Sequence, residues 1–430
     1  MFFTRQIRLT SLLFIVLVLL PIDWFSPSGL LFREAGAKPL NLLLLVFMLV
    51  LIVGGKNYLF VKTEPKIPVQ AYLVGILICG SIAFVLNLFF MPSVPPSDRS
   101  QIFQFVSQSA MFLMFMAVLQ TLLYFLGDSW VRQRVLDVLP FAACVHLFFF
   151  LLEALNFFSQ ESPGILSFFR SEEGLIDRPS GLMSEPSYYG TFAALYAVPL
   201  LLFSEKFKFI KFILAISILG AALIIHAKTM LVVLAVQILY FSTTVKSRKT
   251  RSIFNVFIVV GISSVMYSLI NSPAVIINEN MSSVMRVGSN MLALNVALEG
   301  YGLLGIGIGQ FHFMYTPEFA PDYLLLSQEA LDLMGGVTGR RASTFNLPLR
   351  LLVETGVIGL ALGTLMLFQL FWSLRNTTDP IAQTGLIFVA GSLGFLMTQD
   401  TYCLPSLAFG LALSLTGSVN TPTQISANKS

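Results

Sequence analysis

Twelve runs of mostly apolar residues, separated by short breaks holding ionisable or turn-forming residues, take up most of this 430-residue chain. They lie at roughly 9–26, 38–55, 68–91, 104–127, 135–157, 186–204, 208–226, 229–246, 252–271, 346–374, 380–399 and 402–418. A helix crosses a bilayer core with about 20 such residues. In hydrocarbon only helices and closed barrels satisfy every backbone polar group, and helix-length runs point to the former. The sequence therefore predicts an all-α polytopic membrane protein of about twelve transmembrane helices, a single integral domain over 1–430. Composition agrees: 11% of residues are charged and 56% hydrophobic, whereas a soluble domain carries about 25% charged residues. The first run follows Arg5 and Arg8 as a secretory signal would, but no small-residue cleavage site ends it, so a retained helix is expected.

The charges divide unevenly between the two sides. With both termini cytoplasmic, the inner segments hold 16 of the 26 basic residues, against five acidic ones (Glu64, Asp128, Asp137, Glu205 and Asp379). That matches the enrichment of Lys and Arg in short cytoplasmic loops. The outer side has ten basic and 17 acidic residues, mostly in two long loops at 158–185 and 272–345. Within the larger loop, 281–299 reads as a helix and 324–334 as an interfacial amphipathic segment; ILSFF at 165–169 reads similarly. Residues 419–430 read as a flexible cytoplasmic tail. The short inner connections leave no room for a cytoplasmic catalytic domain, so any chemistry faces outward.

Several familiar chemistries lack support. No Lys/Arg cluster interleaved with aromatics suggests nucleic acid, and Cys79, Cys144 and Cys403 form no pairable framework and read as buried apolar thiols. No HExxH, paired Cys/His set or Asp-x-Asp motif indicates a metal. GYGLLGIGIGQF (300–311) lacks the GK[ST] of a P-loop and reads as close backbone packing or a re-entrant turn. His312 and His146 read as hydrogen-bonded structural residues.

The outer cations are the informative residues. Arg170, Arg178, Lys228, Arg286, Arg340, Arg341 and Arg350 lie in the loops or at the outer helix ends. Each could pair with a carboxylate or snorkel to headgroups; as a set they suit a phosphate-bearing ligand, because guanidinium forks match phosphate oxygens. In RPSGLMSEPSYYG (178–190), Ser184 or Glu185 could cap a helix whose first turn carries Tyr188 and Tyr189; alternatively, Arg178 and Glu185 stand at the mouth of a site with the tyrosines stacking on a sugar. HAKT (226–229) reads equally as a polar turn or a ligand contact. Arg350 and Glu354 stand four apart on one helix face, which predicts an ion pair turned toward protein or a wet cleft, with Asp400 near the same side.

Three segments carry a resemblance: RPSGLMSEPSYYG (178–190), SSVMRVGSNMLALNVALEGYGLLGIGIGQF (282–311) and STFNLPLRLLVETGVIGL (343–360). In this order they resemble the O-antigen polymerase/ligase superfamily of bacterial membrane glycosyltransferases. Residues 282–311 are similar to the family's Arg-led helix and glycine-rich turn, and 343–360 to its Asn-x-x-Leu helix followed by Glu-x-Gly. Lys228 of HAKT takes the basic role of the family's Ser-Arg pair. The resemblance implies a C-type glycosyltransferase-like helical fold acting on undecaprenyl-diphosphate-linked glycans at the outer face of the bacterial plasma membrane. Members of the ligase branch have a His-Asn pair at the start of the third segment; here Phe345 precedes Asn346, which favours a polymerase.

The expected reaction needs no cofactor and no nucleotide sugar. Arg178, Arg286 and Lys228 would stabilise the departing diphosphate, supported by Arg340, Arg341 and Arg350, while Glu185 would act as base, ahead of Glu354, and Tyr188 would face the sugar. A chain-length regulator and a flippase are the expected protein partners. A ligase-type transferase and a lipid-linked-glycan transporter are the competing classes.

Overall fold

The computed structural model describes residues 2–25, 38–54, 66–90, 100–155, 157, 168, 179–203, 207–244, 281–314, 319 and 344–416. Among them the regular elements are helical: α1 (Phe2–Leu19), α2 (Pro39–Val53), α3 (Val69–Phe90), α4 (Gln101–Leu126), the short α5 (Ser129–Gln133), α6 (Val135–Ala154), α7 (Pro186–Leu202), α8 (Lys208–Ile224), α9 (Lys228–Thr244), α10 (Met281–Val296), α11 (Leu347–Leu374), α12 (Pro380–Leu396) and α13 (Pro405–Leu415). Four of these, α3, α4, α6 and α11, are long and apolar enough to cross a membrane; α2, α9, α12 and α13 are shorter apolar helices. The chain is an all-α membrane protein. Most apolar runs coincide with one helix each; the run at 252–271 lies outside the described residues. So do most of 158–185, much of 272–345, the tail, the segment at 324–334, and all of ILSFF except Phe168.

Local chemistry sets the helix ends. Ser100 accepts from Phe103 N at 3.1 Å, Asp128 Oδ1 from Trp130 N at 3.0 Å, Asp379 Oδ1 from Ile381 N at 3.1 Å and Asn346 Oδ1 from Leu349 N at 3.1 Å, each answering an amide that its helix cannot. Pro39, Pro186, Pro380 and Pro405 open their helices, where a missing N–H costs nothing. α1 stops about two turns before the end of its apolar run because Pro21 disfavours helix at the residue before it. The last run likewise begins as non-helical chain and becomes α13 only at Pro405.

Ion pairs identify one end of the bundle. Arg5 reaches Asp128 at 3.2 Å, Arg134 reaches Asp137 at 3.2 Å, and Arg132 pairs with Asp379. The start of α1, the α4–α6 connection and the start of α12 therefore meet at this basic end. The other end gathers the residues after α1, those before α2 and α7, the start of α11, and the α12–α13 connection, through contacts described below. The core between them is apolar, with Phe192, Tyr196, Phe388 and Phe409 fully buried and in ring contact along α7, α12 and α13. α12 and α13 approach almost to backbone contact at Gly410, where a Cβ would lie 2.8 Å from Val389 N. Phe89, Phe141, Phe209 and Ile224 are exposed, as lipid-facing side chains are. Cys403 is buried as expected, but Cys144 is exposed on α6 and Cys79 half-buried. An apolar thiol gains as much from facing lipid as from facing the core, so hydropathy alone misplaced them.

The glycine-rich segment and α11 are built together. α11 breaks at Gly356, whose φ of 71° and ψ of −178° belong to a region open essentially to glycine alone. The break frees backbone carbonyls, and the segment after α10 answers them: Ile306 N donates to Val353 O at 2.8 Å and Gly307 N to Glu354 O at 2.9 Å. In return Val357 N donates to Gly302 O at 2.9 Å. The strap then runs over α3 and α4; a Cβ at Gly307 would lie 2.6 Å from Phe84 Cα. Asn87 secures it by donating to Gly305 O at 2.9 Å. Of the two expectations for this segment, close backbone packing is what is seen. Gly356→Ala is expected to lower stability by about 1–3 kcal/mol from backbone strain alone, with further loss because the methyl overlaps the Leu303 carbonyl. Thermal unfolding of the detergent-solubilised chain measures it.

Candidate functional site

Two polar clusters occupy the end of the bundle opposite the basic one, and the α12–α13 connection touches both. The first surrounds Arg350. Its Nε donates to Glu354 Oε1 at 3.1 Å, one terminal nitrogen donates to Asp400 O at 2.8 Å, and the other donates to Gln108 Oε1 at 3.0 Å. The Asp400 carboxylate lies 3.6 Å away, and the Tyr402 ring covers the guanidinium at 4.4 Å. Glu354 is completely buried. It also accepts from Gly309 N at 2.9 Å and from the Tyr402 hydroxyl at 2.5 Å. The predicted i,i+4 pair is present and turned inward, with Asp400 beside it. Gln108 and Tyr402 join it without any sequence signal, since neither pattern nor charge distinguishes them.

Asp400 shapes the neighbouring turn. Its Oδ2 accepts from Thr344 N and from Thr344 Oγ1, each at 3.0 Å, while Asn346 N donates back to Thr344 Oγ1 at 3.2 Å. Between them Phe345 adopts a φ of 50°, which bulky residues rarely take. Its ring lies under Arg286 of α10, 5.9 Å from the guanidinium carbon. Arg286 is half-buried, and its Nε has no hydrogen-bond partner among the described residues.

The other cluster lies where α1, α2 and α7 meet. Asp23, beyond the end of α1, accepts from Ser184 N at 2.9 Å and from the Ser184 hydroxyl. Lys38 donates to Thr401 Oγ1 at 3.1 Å and to Cys403 O at 2.8 Å. Asp23, Lys38 and Tyr188 line one narrow cavity of about 30 Å³.

Glu185 sits at the N-cap of α7 but makes no capping bond; its carboxylate accepts from Ser187 Oγ at 3.1 Å and is exposed. Ser184 does not cap either, being held by Asp23. Tyr188 is half-buried against Phe395. Tyr189 departs from the sugar-stacking alternative: it is fully buried between Phe150 and Phe192. Lys228 is exposed at the first residue of α9, beside this cluster, because Thr229 Oγ1 donates to Ser187 O at 2.6 Å. Thus Glu185, Tyr188 and Lys228 are neighbours, and Arg286 and Arg350 belong to the Arg350 cluster. Arg178, Arg340 and Arg341 lie outside the described residues. His146 Nε2 donates to Val18 O at 2.9 Å, and His312 Nδ1 donates to Gly309 O at 3.2 Å, in the structural roles expected of them.

Fold and site together define a helical membrane protein with ionisable clusters gathered at one end of its bundle. No protein-family model matches the chain, and comparison with curated proteins finds no match.

Proposed function

We propose that the protein polymerises undecaprenyl-diphosphate-linked oligosaccharide repeat units into O-antigen, capsule or exopolysaccharide at the outer face of the bacterial plasma membrane. On this reading twelve helices span the membrane, 252–271 among them, in a C-type glycosyltransferase-like arrangement; the basic end and both termini are cytoplasmic. The observation that carries it is Arg286: a half-buried cation, unsatisfied at Nε among the described residues and braced by Phe345, at the end of the bundle away from the topogenic Lys and Arg residues. A cation in that condition suits a phosphate ligand. The resemblance of the three segments supports the same reading.

The acceptor hydroxyl of one lipid-linked unit attacks the anomeric carbon of another glycan. The new glycosidic bond forms as the bond to the diphosphate breaks; Glu185 takes the hydroxyl proton and the lipid diphosphate departs with the electron pair. Arg286, Lys228 and Arg178 stabilise the charge that builds on it, the effect expected to dominate the acceleration. Arg340 and Arg341 extend that cationic wall, and Tyr188 faces the sugar. Arg350, engaged by Glu354, Gln108 and the Asp400 carbonyl, serves by organising the turn under Arg286.

The break in α11 favours an alternative reading, since transporters bind substrates at discontinuous helices. Against it, the carbonyls freed at Gly356 are taken by Ile306 N and Gly307 N, which leaves none of that pair open to a passing substrate. Depleting the protein in cells separates these classes. A polymerase leaves single repeat units on the lipid carrier at the outer leaflet, a transporter leaves them at the inner leaflet, and a ligase leaves finished polymer on the carrier. Either of the last two outcomes overturns the proposal.

A further inference from the structure

The segment carrying Glu185 is fastened by two carboxylates from other parts of the chain. At one end Glu153, in the last turn of α6, accepts from Ser180 N at 2.9 Å and Gly181 N at 2.7 Å through one oxygen. At the other end Asp23 accepts from both the amide and the hydroxyl of Ser184. Between them the chain closes on itself: Ser180 Oγ donates to Met183 O at 2.9 Å, and Met183 N donates to Ser180 O at 3.2 Å. Residues 180–184 are therefore a rigid turn held at both ends, and Glu185 and Tyr188 follow directly from it. The Glu185 side chain makes no capping bond; its backbone is set on one side by this turn and on the other by the first turn of α7, where its carbonyl accepts from Tyr188 N at 3.1 Å.

We propose that Asp23 and Glu153 are positioning residues that hold the 180–184 turn, and through it place Glu185 and Tyr188 for glycosyl transfer. The proposal rests on the polymerase reading and adds to it two residues that act through the backbone of this turn. Asp23 is the more telling of the two, because it binds Ser184 twice. Lys38, Tyr188 and Tyr196 line the same cavity as Asp23.

The test uses the full chain in lipid nanodiscs, with lipid-diphosphate-linked repeat units as substrate and hydrogen–deuterium exchange of residues 180–184 as a further readout. Asp23→Ala should expose these amides and lower kcat about 10- to 100-fold, as misplacement of a reacting group does, while KM changes little. Asp23→Asn, which can keep both bonds if the Ser184 hydroxyl turns to accept, should restore protection and rate. Unchanged exchange in Asp23→Ala overturns the clamp. Loosened exchange with unchanged kcat overturns the positioning role. If the wild-type chain forms no polymer, the polymerase reading fails and the positioning role fails with it, whereas the exchange data still decide whether the clamp exists.

Discussion

Arg350→Met is expected to destabilise the bundle by about 3–5 kcal/mol, the cost of leaving a buried charge without its partner. The methionine fills much of the space but withdraws every donor that Arg350 directs at Glu354, Asp400 and Gln108. Glu354, with no exposed surface, keeps only Tyr402 and Gly309 N as donors among the contacts described. Thermal unfolding and yield of folded protein in detergent measure the loss. Adding Glu354→Gln to the same chain removes the stranded charge while retaining an acceptor for Tyr402, and should recover part of the stability. A double variant no better than the single one would show that packing of Arg350 against Tyr402 outweighs its charge.

Arg286→Ala should behave in the opposite way, with a normal fold and transfer reduced by about 10²–10³-fold, the range seen when one preorganised donor to a developing anion is removed. Arg286 makes no ion pair among the described residues, so its loss strands no buried carboxylate. Arg286→Lys should recover only part of the rate, because an ammonium keeps the charge and loses the fork. The measurement is single-turnover formation of lipid-linked dimer from lipid-linked single repeats, alongside unfolding of each variant. Wild-type transfer by Arg286→Ala would remove this residue from the mechanism.

How much of the molecule is legible in its sequence follows from the range of each interaction. Most helices are legible to within a few residues: the run at 135–157 forms Val135–Ala154 and the run at 208–226 forms Lys208–Ile224, since a hydrophobic run and a polar break are local properties. Arg350 and Glu354 are legible together because four residues is one helical turn. Asp23 and Ser184 are not, being 161 positions apart, and Asp23 simply lies near the end of an apolar run. The break at Gly356 is equally silent. GVIGL offers two glycines in an apolar stretch, and only the strap packed against one of them shows which is unwound. Tyr188 and Tyr189 stand side by side, yet one lines a cavity and the other is sealed in the core. Adjacent residues of a helix point about 100° apart, and sequence alone does not say which direction faces the bundle.

The break in α11 also bears on how the chain is assembled. Carbonyls left bare in hydrocarbon cost several kcal/mol each, and those of Val353 and Glu354 are answered by amides of the strap. Before the strap docks, the inexpensive form of α11 is an unbroken helix, which is also the form that a translocon releases most readily into lipid. Unwinding at Gly356 therefore belongs to a late step of biogenesis, after the stretches of nascent chain on either side of it have been threaded through the membrane. A chain lacking the strap would insert correctly and still fail to mature.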